Sequence, residues 1–445
     1  MGREKIPPRQ ELRFETAKRL PDGADSCLRV LRGSAELCGL ELLVGHEYPL
    51  LCGQSYGVFS WFGCELELHS AFCSGVYVSE ETPMASVIKV HYNLEAMRSK
   101  ASGFAAAAAA RRGPPGAAQR AAPRVAVVGA GNAGKSTLVR TLAAYAARCG
   151  RRPVLVDLDV CKNMVGVPGS IGATVVERAE DLFGEGGELG VSCGRRPLCY
   201  WVGTDRVADA TKRLKECATL LSADVDALLS VEAEAAAGGL VVDTFAWSAA
   251  ASVHTALVAC LQALRVNVVV VIGHDRLFSE MKKALDPQVI VVKIARSGGV
   301  VEADAAAAKR QHSERLKAYF YGARSQLTPN RLTLKLGEEV KIFLPNASAP
   351  VDDSLRPIGK AASAEEDAVV PQLTVVDPQL EGLVLAVVAC AAADCKDVLN
   401  VPVLGFVHIE SVSVQDGTIT FGVPCPGPLA SATLLHSKVK YYEVA

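Results

Sequence analysis

The chain lacks several patterns that would settle its class at once. No C-x-x-C pair occurs among its 14 cysteines, which fits reduced thiols serving as small core residues and argues against disulfides or zinc. Positive charge is not in excess, with 47 Lys and Arg against 48 Asp and Glu, so no global field draws the chain to nucleic acid or membrane. Any RNA contact must come from a local patch. The longest apolar stretch, Leu383 to Ala393, is far short of the roughly 18 residues of a membrane span. Met1 to Leu12 alternates charge with proline and has no apolar core of signal-peptide length, so a cytosolic or nuclear location is expected.

What is present is a chain of 445 residues, half of them apolar, long enough for two to four domains. Short alternating segments, Glu11–Glu15, Cys27–Leu31, Gly57–Trp61 and Gly75–Ser79, predict an N-terminal antiparallel β sandwich or barrel over residues 1–100. Residues 101–123, with a polyalanine run, Arg111-Arg112 and Gly113-Pro-Pro-Gly116, read as a linker. From 124 to 325 apolar runs alternate with amphipathic stretches. Strands are expected at Val125–Val128, Pro153–Leu158, Leu240–Asp243, Asn267–Ile272 and Val289–Ile294, and helices at Lys135–Arg148, Ser252–Arg265 and Asp275–Leu285. That order predicts an α/β domain with a parallel sheet and its ligand at the carboxyl ends of the strands. Residues 326–445 return to strands, as in Arg331–Lys335 and Gly405–Ile409, and predict a C-terminal all-β domain.

One segment carries the chemistry. Gly129-Ala-Gly-Asn-Ala-Gly-Lys-Ser-Thr137 lies between an expected strand and an expected helix. It contains G-x-G-x-x-G, which serves dinucleotides, and also satisfies G-x-x-x-x-G-K-[ST] in full. Lys135 and Ser136 decide between them, since a dinucleotide site needs neither. Backbone N–H groups of Asn132, Ala133, Gly134, Lys135, Ser136 and Thr137 are expected to wrap the phosphates of ATP, with Lys135 on the β and γ groups and Ser136 on Mg2+. Two acids suit the metal: Asp159, closing the apolar run from Val154, and Asp243, closing Leu240–Asp243. Asp157 is read as strand alternation or a turn cap.

The chain resembles the family of eukaryotic mRNA cleavage and polyadenylation factor subunits also known as polyribonucleotide 5′-hydroxyl kinases. The likeness rests on Glu11-Leu-Arg-Phe-Glu15, Glu81-Thr-Pro-Met84, the phosphate loop, Gly150-Arg-Arg-Pro153, Val167-Pro-Gly169 with Gly172-Ala173, Ser297-Gly-Gly-Val-Val-Glu302 and Tyr319-Phe-Tyr-Gly322. It implies a kinase-like domain between two β domains, a nuclear location, RNA and the other subunits of the cleavage and polyadenylation complex as partners, and no membrane. It further implies that Glu11 holds the nucleotide base, that Asp159 orients magnesium or accepts the RNA hydroxyl proton, and that Trp247 stacks on the RNA end. Read without the family, Trp247 is an ordinary core aromatic.

The departures from the family bear on catalysis. Active members read Asp-Val-Gly-Gln where this chain reads Asp159-Val-Cys161-Lys162, and they carry two lid arginines where it has Ala303 and Ala308. Arg310 and Arg315 keep the same mutual spacing seven residues later, about 10 Å along a helix at roughly 1.5 Å per residue. Two functions are therefore expected from the sequence: an ATP-holding scaffold subunit, or a working RNA 5′-hydroxyl kinase.

Overall fold

The computed structural model of the protein describes residues 2–17, 26–69, 72–111, 122–183, 197–300, 305–322, 327–345, 372–390 and 397–441. The chain groups into two compact units, Met1–Leu158 with Ala173–Pro197 and Ser222–Asp304, and Asp159–Gly172 with Leu198–Leu221 and Ala305–Ala445. Compactness therefore cuts across the sequence ranges 124–325 and 326–445. In the first unit the N-terminal strands lie against the phosphate-loop helix, and in the second the helix Ala305–Tyr321 joins the C-terminal strands, where the Phe406 amide donates to the Tyr319 hydroxyl at 3.1 Å.

The N-terminal region is all β, with one sheet of four strands and one of five. In the strand Cys64–Leu68 the residues Cys64, Leu66 and Leu68 are buried, while Glu65 and Glu67 face Arg32 and Arg29 at 2.7 and 2.5 Å. That is the apolar-in, charged-out alternation expected of a sheet with one wet face. The helix Met84–Arg111 then runs through the polyalanine stretch, past residue 101, where the linker was expected to start. Alanine has the strongest helix propensity, which accounts for the extension. Of the rest of that linker, 112–121 lie outside the described residues.

Five adjacent strands of the central sheet run parallel in the order Val154–Asp157, Leu240–Asp243, Arg124–Val128, Val268–Ile272, Ile290–Ile294. The first four are almost wholly buried Val, Leu and Ile because both faces are covered, whereas the edge strand Ile290–Ile294 is partly exposed. The first strand in the chain, Arg124–Val128, lies in the middle of the five. Later strands extend the sheet to either side of it, so the loop it feeds opens at a topological switch point, where open α/β sheets bind ligands. The second strand stops at Asp157, one residue short of the expected Leu158, so Asp159 follows the strand rather than closing it.

The C-terminal strands form a six-stranded sheet in the order Asn330–Lys335, Thr418–Val423, Val403–Ser413, Val384–Val388, Thr433–Leu435, Lys341–Phe343. Val340, Leu385, Val407, Ile419, Phe421 and Leu434 form the centre of its core.

Candidate functional site

The phosphate loop is built as its residues require. The helix Lys135–Arg148 begins after Gly134, whose φ of 91° is in the left-handed region that suits glycine, and no side chain caps it. No acid occupies the first helical turn. Its first N–H groups, together with the turn at Asn132 (φ 51°), make a concave donor surface for an anion. The loop is anchored below: the Thr244 hydroxyl donates to the Val127 carbonyl at 2.7 Å and the Trp247 amide to the Gly129 carbonyl at 3.0 Å. Lys135 is buried, and its ammonium donates to the Ala130 carbonyl at 3.0 Å, folded over the loop it would neutralise.

The Ser136 hydroxyl donates to Asp243 Oδ2 at 2.5 Å. This pairing tests the fit of magnesium, for a hydroxyl on the loop and an acid at the neighbouring strand's end are the protein ligands that P-loop proteins give it. Among the described residues no group of three His, Cys, Asp or Glu could hold a metal. Magnesium beside a nucleotide needs none, since it uses one or two protein ligands with phosphate oxygens and water. Asp157 is fully buried and lies in register with Asp243.

The remaining expected residues distribute unevenly. Glu11 lies on the strand Gln10–Thr16 of the first unit, its carboxylate Oε1 3.2 Å from Arg13 Nε. The turn at Cys38-Gly39 reaches the phosphate-loop helix, where a Cβ on Gly39 would stand 3.0 Å from the Thr141 carbonyl and from Ala144. Burial pushes the Cys38 thiol up to about 11, with Arg140 of that helix opposing and Glu11 adding to the shift, which places Glu11 within electrostatic range of this turn. Trp247 is 8% exposed, its indole N–H donating to His254 Nδ1 at 3.3 Å and its ring edge-on to His274. It is packed here as a core aromatic.

Asp159 belongs to the second unit, where its carboxylate accepts the Cys161 amide at 3.0 Å. Burial first, then the charges of Asp159 and Asp205, push the Cys161 thiol up to about 11, so it is a neutral thiol near pH 7. Arg315 Nη1 donates to the Asn163 carbonyl at 2.5 Å, tying the helix Ala305–Tyr321 to the segment that begins at Asp159. Arg310 is in range of Glu314 one turn on. Ala308 lies in this helix, whereas Ala303 lies outside the described residues.

Two site residues escaped the sequence reading. Arg296 reaches the Asn132 carbonyl of the phosphate loop at 3.5 Å, and Arg13 lies between Glu11 and the glycines of the Ser297 motif. Each adjoins a motif that the sequence displays, yet no spacing rule pairs positions 13 and 299.

Three family models match the chain in succession: the N-terminal beta-sandwich domain of polyadenylation factor over residues 5–101, the mRNA cleavage and polyadenylation factor CLP1 P-loop over 129–322, and pre-mRNA cleavage complex II protein Clp1 over 327–443. A protein CLP1 homolog of Nematostella vectensis is 31% identical over 434 residues, covering 97% of this chain and 95% of its own length. The polyribonucleotide 5′-hydroxyl-kinases Clp1 of Bos taurus and Homo sapiens are each 32% identical over 436 residues, covering 98% of this chain and 95% of theirs. A solved wild-type Clp1p–Pcf11p complex superposes with a TM-score of 0.78 at 22% identity, covering 100% of this chain and 98% of that one. A second solved structure of that pair gives 0.79 at 21%, covering 99% and 98%, and shares the fold. With relatives above 30% identity along nearly its whole length, the chain belongs to the Clp1 family of mRNA cleavage and polyadenylation factors.

Proposed function

We propose that this protein binds ATP with magnesium and serves as a nucleotide-holding subunit of the nuclear machinery that cleaves and polyadenylates pre-mRNA. The observation that carries the reading is an intact phosphate loop, with Lys135 folded over it and Ser136 on Asp243, in a chain that has alanine at both lid-arginine positions, 303 and 308. In this reading the backbone from Asn132 to Thr137 holds the triphosphate, Lys135 neutralises it, Ser136 and Asp243 hold the metal and Glu11 receives the base. Magnesium, when bound, screens the β and γ oxygens. A ligand that binds only the folded chain stabilises it by RT ln(1 + [L]/Kd), about 2.7 kcal/mol at a hundred times Kd, without turnover. Partner proteins would dock on this nucleotide-stabilised fold, as Pcf11p does on Clp1p in the solved complexes.

The second reading is the activity named in the relatives, transfer of the γ-phosphoryl group to an RNA 5′-hydroxyl, with Asp159 accepting the proton and Trp247 against the RNA end. Arg315 favours it, because a cation of the lid-bearing helix already reaches the Asp159–Asn163 segment. Against it, arginines supplied to a transferring phosphoryl group contribute on the order of 10³ to 10⁵ in rate, and Lys162 is a mobile point charge without their fork. Purified protein with 5′-hydroxyl RNA and γ-labelled ATP separates the two. The scaffold reading expects ATP binding with little or no label on RNA, and robust labelling overturns it.

A further inference from the structure

Arg13 is a buried cation in the strand Gln10–Thr16, in register with Tyr77 of the neighbouring strand Cys73–Ser79. Its Nε lies 3.2 Å from Glu11 Oε1, and its Nη2 donates to the Glu81 carbonyl at 2.6 Å and to the Ser297 hydroxyl at 3.3 Å. One guanidinium thus joins the N-terminal sheet, the segment before the helix Met84–Arg111, and the turn that precedes the lid. The Ser297 hydroxyl in turn accepts the Gly299 amide at 3.2 Å.

One glycine of that turn, Gly299, owes its place to Arg13. A Cβ on Gly299 would stand 2.6 Å from Arg13 Nε and 2.7 Å from Cδ, and one on Gly298 would stand 3.4 Å from Nη1. Neither glycine has a positive φ, so at Gly299 it is space and not backbone conformation that excludes a side chain. The same oxygen is confined by the neighbouring strand as well, since a Cβ on Gly57 would meet Glu11 Oε1 at 2.3 Å. A carboxylate is an acceptor only; with Oε1 on Arg13, Oε2 is the oxygen left for an N–H of a base.

We propose that Arg13 is a positioning residue that fixes the Glu11 carboxylate for the nucleotide base and couples its setting to the Ser297–Gly299 turn. The inference rests on the proposed role of Glu11. A fork of donors suits this, because it serves the carboxylate, a backbone carbonyl and a hydroxyl from one rigid group, which a lysine cannot do. Nucleotide-base recognition and the Ser297–Gly299 turn then share one side chain.

The test compares Mg–ATP with Mg–tripolyphosphate by calorimetry on the full chain, in wild type, Glu11→Ala, Arg13→Met, Gly299→Ala and the Arg13→Met/Gly299→Ala double variant. Arg13→Met and Gly299→Ala should each weaken ATP roughly tenfold, the scale of one charge-assisted hydrogen bond, and leave tripolyphosphate unchanged. The double variant should be no weaker than Arg13→Met alone, because the alanine methyl then has no guanidinium to displace. If Arg13→Met does not fold, Gly299→Ala alone carries the comparison. Glu11→Ala with an unchanged ATP affinity overturns the base-site reading itself. A weakened Glu11→Ala beside wild-type affinity in the Arg13 and Gly299 variants overturns only the positioning role. Equal losses for ATP and tripolyphosphate in Arg13→Met, or fully additive losses in the double variant, also overturn it, since they would mark a general structural effect.

Discussion

At the scale of single residues, the loop divides its work between charge and coordination. Lys135 supplies a buried cation whose present partner is a neutral carbonyl, so it can exchange that acceptor for phosphate oxygens at little cost. Lys135→Ala should weaken ATP by about 10- to 100-fold, the worth of a hydrogen bond to a charged group, and calorimetry showing an unchanged affinity would overturn the site. In the proposed function Asp243 acts through the metal. Asp243→Asn keeps the shape and a partner for Ser136 but removes the charge, so titrations with and without magnesium should converge; a metal dependence equal to wild type would remove Asp243 from the coordination shell. Both residues were legible in the sequence, because Lys135 is part of a contiguous motif and Asp243 ends an apolar run. The sequence left both Asp159 and Asp243 as candidates for the metal. Only the strand order puts Asp243 next to the strand that feeds the loop.

At the scale of elements, the helix Ala305–Tyr321 decides between scaffold and kinase. Ala308 lies near its start and Arg315 two turns on, held at the Asn163 carbonyl. If the missing lid cations alone limit catalysis, Ala303→Arg with Ala308→Arg should raise RNA phosphorylation by several orders of magnitude, read as label on 5′-hydroxyl RNA. Wild-type activity that collapses in Arg315→Ala would assign the work to that arginine and sink the scaffold reading. No activity in wild type or in the restored variant would put a further lesion at Cys161-Lys162. Element existence was mostly legible: Lys135–Arg148 and Leu240–Asp243 have the expected ends. The helix Thr211–Val231 was not anticipated, although Leu214, Cys217, Ala218 and Leu221 repeat at helical spacing and are all buried. Its apolar stripe includes Cys and Ala, small residues that carry little hydrophobic contrast.

At the scale of the whole molecule, buried histidines give the fold a pH dependence. Burial lowers the pKa of His91, His312 and His436 below the ordinary value of 6.5, so each is held neutral in the folded chain. The unfolded chain then binds more protons as pH falls below 6.5, and the stability present above that value is lost as pH drops through the lowered folded pKa values. Thermal melting followed from pH 7.5 to pH 5 should show a falling midpoint below about 6.5. A flat profile across that window would show that these imidazoles titrate alike in both states. On the proposed function, in which ATP binds the folded chain alone, saturating ATP should raise the midpoint at every pH.

The sequence by itself determined the phosphate-loop motif, the α/β centre between two β regions, and the family. Each of these is written in contiguous residues or in a local period: the loop from Gly129 to Thr137, the 2-residue alternation of Cys27–Leu31, and a series of short motifs in one order. Tertiary structure alone decided what depends on residues far apart in the chain. It paired Ser136 with Asp243, packed Trp247 against His254 and His274, and drew Arg13 over the glycines at 298 and 299. The physical reason is that a parallel sheet brings strand ends together in spatial order rather than chain order, so a contact spanning 107 residues, as between Ser136 and Asp243, leaves no periodic trace in the sequence.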